Sequence, residues 1–199
     1  RGDLPVIGIA GDIYTRLNTH ANFGLYEKLI ANGFEIWTSA LIMDVVLLGY
    51  EQRARDLLDK GQRMKGLIAK GYTVAAALLR RSVDRYFPCD IRTPQESGFP
   101  RLEQRIAPYI SHRVDKFISL NINRIGEFHE AGAHGVLNVI CPGCMVGTVS
   151  EAFFPELRRR YDDLPLETLA FGDQQTTHID NRIEAFLHLV RDSQARRRT

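Results

Sequence analysis

Three cysteines carry the most chemistry in the chain. Cys141 and Cys144 stand two residues apart in "NVICPGCMVGT", after an apolar run and ahead of a helical pattern, while Cys89 lies far upstream in "YFPCDIRTP". A Cys-x-x-Cys at a strand-to-helix turn sets its thiols beside the positive end of a helix, which lowers thiol pKa and favours thiolate. Thiolate is the form that binds iron, zinc or a second sulfur. Cys141 and Cys144 supply two ligands and Cys89 a third, enough for a [4Fe–4S] cluster with one iron left open or held by another group. Structural zinc takes four ligands, so one of His20, His112, His129, His134 or His178 would have to join. A thioredoxin-like use places the motif after the first strand of a different topology; here it follows the third. The same spacing also suits small, buried residues in a tight turn, so the motif alone leaves metal site and turn both open.

Two further stretches gather polar side chains. "GIAGDIYTRLN" brings together Asp12, Tyr14, Arg16 and Asn18, with Asn22 just beyond. A guanidinium such as that of Arg16 can hold a carboxylate or phosphate through two parallel hydrogen bonds. Ordinary capping competes with that reading, Asn22 being well suited to a helix N-cap. "FGDQQTTHIDNR" places Asp173, Gln174, Gln175 and Thr177 in a second loop; Thr177 or His178 equally suits the start of a helix, and Arg182 either reaches the loop or pairs with Asp180 or Glu184. Neither Gly-x-Gly-x-x-Gly nor Gly-x-x-x-x-Gly-Lys-Ser/Thr occurs, which leaves nucleotide hydrolysis by a P-loop unsupported. No two histidines have a recognised ligand spacing, and they read as core or surface residues.

These loops need elements to position them. Four segments read as strands: Leu4–Ile13, Phe34–Ala40, His134–Ile140 and Pro165–Phe171. Helical patterning lies between them, with Gly33 and Gly132 as stops and a restart near Pro155. The closing helix carries Ile179, Ile183, Phe186, Leu187 and Val190 on one face. Strands that alternate with helices imply a parallel sheet with right-handed crossovers. The expected fold is a single α/β domain over residues 1–199, with strand order 2-1-3-4. A mainly helical insertion, about Leu41–Lys116, separates its halves, and Phe87–Pro100 reads as a loop. In such sheets ligands bind beyond the carboxyl ends of the strands. The loops after strands one, three and four converge on that edge, Cys141 and Cys144 among them.

A net charge of +2 makes no general case for nucleic acid or an anionic membrane as partner. The basic "RDSQARRRT" reads as a solvated helix end. No apolar run approaches the ~18–20 residues needed to span a bilayer, and no signal peptide opens the chain. Three cysteines, an odd number, do not suggest a secreted disulfide framework. The expectation is a cytoplasmic protein with reduced thiols. The opening "RGDLPVIGIAG" lacks an initiator methionine, so a fragment of a longer protein is expected.

Taken together, "YTRLNTHAN" (Tyr14–Asn22), "AGAHGVLNVICPGCMVGTVSEA" (Ala131–Ala152) and "DQQTTHIDNRIEAFL" (Asp173–Leu187) resemble, in order and spacing, the 2-hydroxyacyl-CoA dehydratase D-component superfamily, which includes benzoyl-CoA reductase-type subunits. The closest resemblance is to the C-terminal region of large CoA-substrate-specific enzyme activases, and it is thin over Leu41–Lys116. It implies a flavodoxin-like α/β domain and a [4Fe–4S] cluster held by a few cysteines. It implies one-electron chemistry on an acyl-CoA thioester, driven by an ATP-hydrolysing activase domain or with a dehydratase subunit as partner. Cys144 matches the family's Cys-Met motif and Cys89 lies in the helical region where another cluster ligand is expected; Cys141 is a candidate metal ligand by its place beside Cys144, not by the resemblance. Arg16, Asn18 and Asn22 match the polar motif after the first strand, and Tyr14 and Gln175 join them as ligand-binding candidates. Cys141 and Val146 depart from the pattern, relatives usually carrying no cysteine and often a proline there. Complete dehydratase subunits have two such domains, so this chain is not expected to be a complete catalyst, and no catalytic residue is assigned. Two alternatives remain: a docking module without a cluster, and a structural zinc site on the same cysteines. A homodimer through surfaces exposed in a fragment is also compatible with the sequence.

Overall fold

The structure is a computed structural model, and it describes residues 4–38, 42–84, 98–111, 114–172 and 176–198. The chain divides into two compact units, residues 1–39 with 121–199, and residues 40–120.

The first unit is built on a four-stranded parallel sheet: β1 (Val6–Gly11), β2 (Glu35–Thr38), β3 (Gly135–Ile140) and β4 (Leu166–Ala170). The strand order is β2-β1-β3-β4, the flavodoxin-like arrangement expected from the alternation of strands and helices. The register aligns Ile9 with Thr38 and with Leu137, and Asn138 with Thr168. Every residue of β3 is buried, as a central parallel strand covered on both faces requires. The strands are shorter than their apolar runs suggest. Leu4 and Pro5 precede β1, and Asp12 already caps the next helix.

Helices of this unit are α1 (Ile13–Leu17), α2 (Leu25–Ala31), α7 (Met145–Ala152), α8 (Phe154–Arg160) and α9 (Thr176–Arg198). Pro155 lies in the first turn of α8, where its missing N–H costs nothing, and so restarts rather than breaks the helix. Gly33 and Gly132 take positive φ just past helices, as expected of C-terminal stops. The segment after β1, expected as a loop, is instead the one-turn helix α1. One face of the sheet buries Ile7, Ile9, Leu137, Val139 and Leu169 against Leu25 and Leu29 of α2 and Ile179, Ile183, Phe186 and Val190 of α9. Each such side chain contributes roughly 1.5–3 kcal/mol by leaving water. Arg182 pairs neither with Asp180 nor with Glu184. It holds Glu167 on β4, while Asp180 takes Lys28 of α2 at 2.6 Å.

The second unit contains α3 (Ile42–Asp59), α4 (Arg63–Asp84) and α5 (Phe99–Ile106). Helix α6 (Lys116–Glu130) begins in this unit and ends in the first. Helices α3 and α4 form an antiparallel hairpin turned at Gly61, whose φ is +73°. In α5, Phe99 and Pro100 open the helix rather than close the preceding loop. Arg55 of α3 stacks over the Phe99 ring at 4.2 Å and reaches Glu103 at 3.0 Å. Among the described residues no helix is long and apolar enough to cross a membrane.

Candidate functional site

The site is the carboxyl edge of β1 and β3, where the strand order reverses. β1 ends at Gly11, whose φ of +107° only glycine adopts easily, and a Cβ there would lie 2.1 Å from the Val139 carbonyl oxygen. The backbones of β1 and β3 therefore run in close contact up to the rim. Asp12 follows and donates its N–H to Val139 O at 2.8 Å. Its Oδ2 accepts from Thr15 N at 2.8 Å and Thr15 Oγ1 at 2.7 Å, which caps α1.

β3 ends at Ile140, and Cys141-Pro142-Gly143-Cys144 turns the chain into α7. Cys144 N donates to Cys141 O at 3.1 Å, and Gly143 has φ +74°. Proline second and a positive-φ glycine third are the signature of a type II turn, which brings its first and fourth Cα atoms within about 7 Å. Cys141 and Cys144 are thus side by side, both as free thiols, Cys141 exposed and Cys144 half-buried. Cys144 is also the N-cap of α7 and makes no capping bond with its side chain. The first-turn amides of α7 therefore face the rim without a side-chain acceptor.

Below the turn lies a buried amide relay. Asn138 of β3, 0% exposed, donates to Gly147 O of α7 at 3.2 Å and to Thr168 Oγ1 of β4 at 3.1 Å. It accepts from Asn121 Nδ2 at 3.0 Å, and Asn121 Oδ1 accepts from Gly11 N at 2.9 Å. The relay thus joins β1, α6, β3, α7 and β4 at the rim. Gly147 lets α7 sit directly on β3, since a Cβ there would fall 2.2 Å from Ile140 Cγ2.

No protein-family model, curated protein or solved structure matches this chain. The arrangement at the rim therefore stands on its own geometry.

The structure places the expected site residues as follows. Cys141 and Cys144 come together; Cys89 and Gln175 lie outside the described residues. Tyr14 is 67% exposed at the rim and lines a shallow depression with Asp12, Leu17, Asn18 and His20. Arg16 is only 2% exposed and lies close enough to Tyr26 for its charge to act on that phenol. Asn18 Oδ1 accepts from His20 N at 3.0 Å and Ala21 N at 3.3 Å, a local turn. Asn22 is buried, and its side chain ties Thr15 O at 3.0 Å to the Leu25 amide at 3.2 Å. The N-cap of α2 is Gly24 rather than the expected Asn22, whose side chain instead braces the turn ahead of the helix.

The electrostatics depart from expectation at Cys141. Its pKa is raised, not lowered: desolvation in the turn comes first, then the neighbouring Cys144 thiol and the Asp12 carboxylate. Together they outweigh the backbone hydrogen bond at Cys141, which favours its thiolate. Cys141 is thus a poor isolated nucleophile, but a cation relieves the same repulsion. Two soft sulfur donors suit iron or zinc. Among the described residues, no third His, Cys, Asp or Glu stands with the pair in a group able to hold a metal. The residues present therefore fit two positions of a cluster's ligand shell.

Histidine as the missing donor is narrowed by the topology. His134 precedes β3 and its Nδ1 accepts from Val6 N, at the amino edge of the sheet. Six strand residues separate that edge from Cys141, a rise of about 20 Å. His129 sits at the same end, against the Tyr161 ring. His20 and His178 lie on the carboxyl side; His112 is outside the described residues.

Sequence reading passed over Asp12 as a partner of Cys141, and Asn138 altogether. The second had a signal: a lone amide in the otherwise apolar "GVLNVI".

Proposed function

We propose that this chain is the cluster-bearing, electron-transfer domain of a 2-hydroxyacyl-CoA dehydratase/activase-type system. Cys141 and Cys144 are two of the thiolate ligands and Cys89 the third. The observation that carries the reading is the type II turn that sets two free thiols side by side at the rim. A bound [4Fe–4S] cluster supplies one-electron transfer. The chain's own residues do the rest. The turn fixes the spacing of the sulfurs, and the first-turn amides of α7 offer N–H groups to negative charge at the rim. The Asn138 relay holds α7 to β3. Tyr14, on the exposed lip, is available to a ligand or to a partner carrying the acyl-CoA or the ATP-driven activator.

A second reading is a docking module that keeps the fold without a cluster. It draws support from the lack of a third donor beside the pair among the described residues. Anaerobic reconstitution with iron and sulfide separates the two. The first reading expects visible charge-transfer absorbance, bound iron, and loss of both in Cys144→Ala and Cys89→Ala. Colourless protein without iron or zinc favours docking. Colourless protein that retains zinc means the cysteines serve a structural zinc site. A full cluster in Cys144→Ala overturns the ligand assignment.

A further inference from the structure

Helix α4 is built inside out. Among its described side chains, those it buries or half-buries are small: Gly66, Ala69, Thr73, Ala76 and Ala77. Gly66 lies directly on Leu58 of α3, 2.7 Å from where its Cβ would be. The large side chains point the other way. Met64, Leu67, Ile68, Val74, Leu78 and Leu79 are each 56–74% exposed, and Tyr72 joins them. At 100° per residue these positions fill one arc of about 160°, opposite the small stripe. An amphipathic surface helix does the reverse, and exposed apolar patches of this extent mark interaction sites. The arc is flanked by Arg63, Lys65 and Lys70, all exposed.

We propose that this face is a homodimer interface, in which α4 packs antiparallel on α4 of a second copy about a two-fold axis at Gly71. Two features favour a second copy over another partner. The first is self-complementarity. With the axis at Gly71, Met64 meets Leu78 of the second copy near the centre of the seam, Leu67 meets Val74 on one flank and Ile68 meets Ala75 on the other, so these large residues face large or small apolar ones. Arg63, Lys65 and Lys70 stand about 80–120° from the centre of the seam, toward solvent. Gly71 leaves open space where its Cβ would be, which lets the two backbones approach at the axis. The second is area. The exposed large side chains offer on the order of 700 Å² per copy, close to the ~800 Å² per partner of a standard stable interface. A two-fold interface needs such a self-complementary patch.

The test is the mass of the intact protein by sedimentation equilibrium across micromolar concentrations. We expect a dimer, and we expect Ile68→Glu to weaken it by ~10-fold or more while circular dichroism is unchanged. A second measurement does not depend on that variant folding. With Cys89, Cys141 and Cys144 changed to serine, Gly71→Cys oxidises to a covalent dimer, because the two introduced thiols meet at the axis. Lys60→Cys, far from the axis, does not. A monomeric wild type overturns the proposal and leaves the face to another partner. A dimer that survives Ile68→Glu with its helices intact, or equal cross-linking at 60 and 71, also overturns it.

Discussion

Cys141 is a thiol whose neighbours discourage ionisation, and one of those neighbours can be switched off. Asp12 contributes negative charge near the sulfur, yet its structural work is to accept two hydrogen bonds from Thr15. Asparagine keeps an oxygen for those bonds and loses the charge. Asp12→Asn should therefore lower the Cys141 pKa without uncapping α1. Below its pKa, a thiol gains thiolate tenfold for each unit the pKa falls, so even a small drop speeds alkylation at neutral pH by about 2-fold or more. Site-resolved mass spectrometry of the alkylation rate against pH reads this out, with Cys144 as internal reference. An unchanged profile would mean that the carboxylate does not act on the sulfur. Asn138 belongs to the same scale. Asn138→Leu fits the apolar strand but abandons bonds to Asn121, Gly147 and Thr168. Leaving buried polar groups unmet costs about 1–3 kcal/mol, so urea denaturation should show a loss of at least that size. A neutral result would make the relay incidental to stability.

At the scale of elements, the approach of α7 to β3 decides where the thiols stand. Gly147 has no room for a methyl, its Cβ position overlapping Ile140 Cγ2 and lying 2.9 Å from Cδ1. Gly147→Ala should destabilise by about 1–3 kcal/mol through overpacking. Ile140→Ala makes space, so the double variant should recover part of the loss, and a double-mutant cycle measures the coupling. Additive losses would show that α7 adjusts by another route. The parallel sheet and its order were legible in the sequence because apolar β-branched runs and helical periodicity alternate without ambiguity. The "CPGC" turn was legible too, since proline and glycine in those places leave the backbone few choices. What the sequence did not reveal was electrostatic and inter-element. The rise in the Cys141 pKa depends on Asp12, which lies more than a hundred residues away and comes close only through strand pairing. The burial of Arg16, which reads as a rim cation, follows from the unexpected one-turn helix α1, which redirects the side chains after β1. The inverted polarity of α4 could have been found from its spacing alone, where Gly66, Ala69, Ala76 and Ala77 share one stripe and the leucines and Ile68 the other.

At the scale of the whole molecule, the question is which residues the sheet needs in order to fold. Its apolar core draws only on the first unit, from Ile7 through Val190. The helical unit is an excursion between β2 and the later half of α6. Closing a long excursion costs only about 0.6 kcal/mol more for each doubling of its length, so neither its presence nor its replacement should change the sheet's stability much through chain entropy. Residues 4–38 joined to 121–198 by a flexible Gly/Ser linker should therefore fold on their own. The chain's single tryptophan, Trp37, is buried in β2 and donates its indole N–H to Glu35 at 3.0 Å, so its fluorescence reports on the sheet edge. One cooperative urea transition is expected, with an m-value smaller than that of the intact chain because less surface is exposed on unfolding. If Trp37 is solvent-exposed in water and no transition appears, the sheet needs the helical unit to fold, and the two units are parts of one cooperative structure rather than a domain and its excursion.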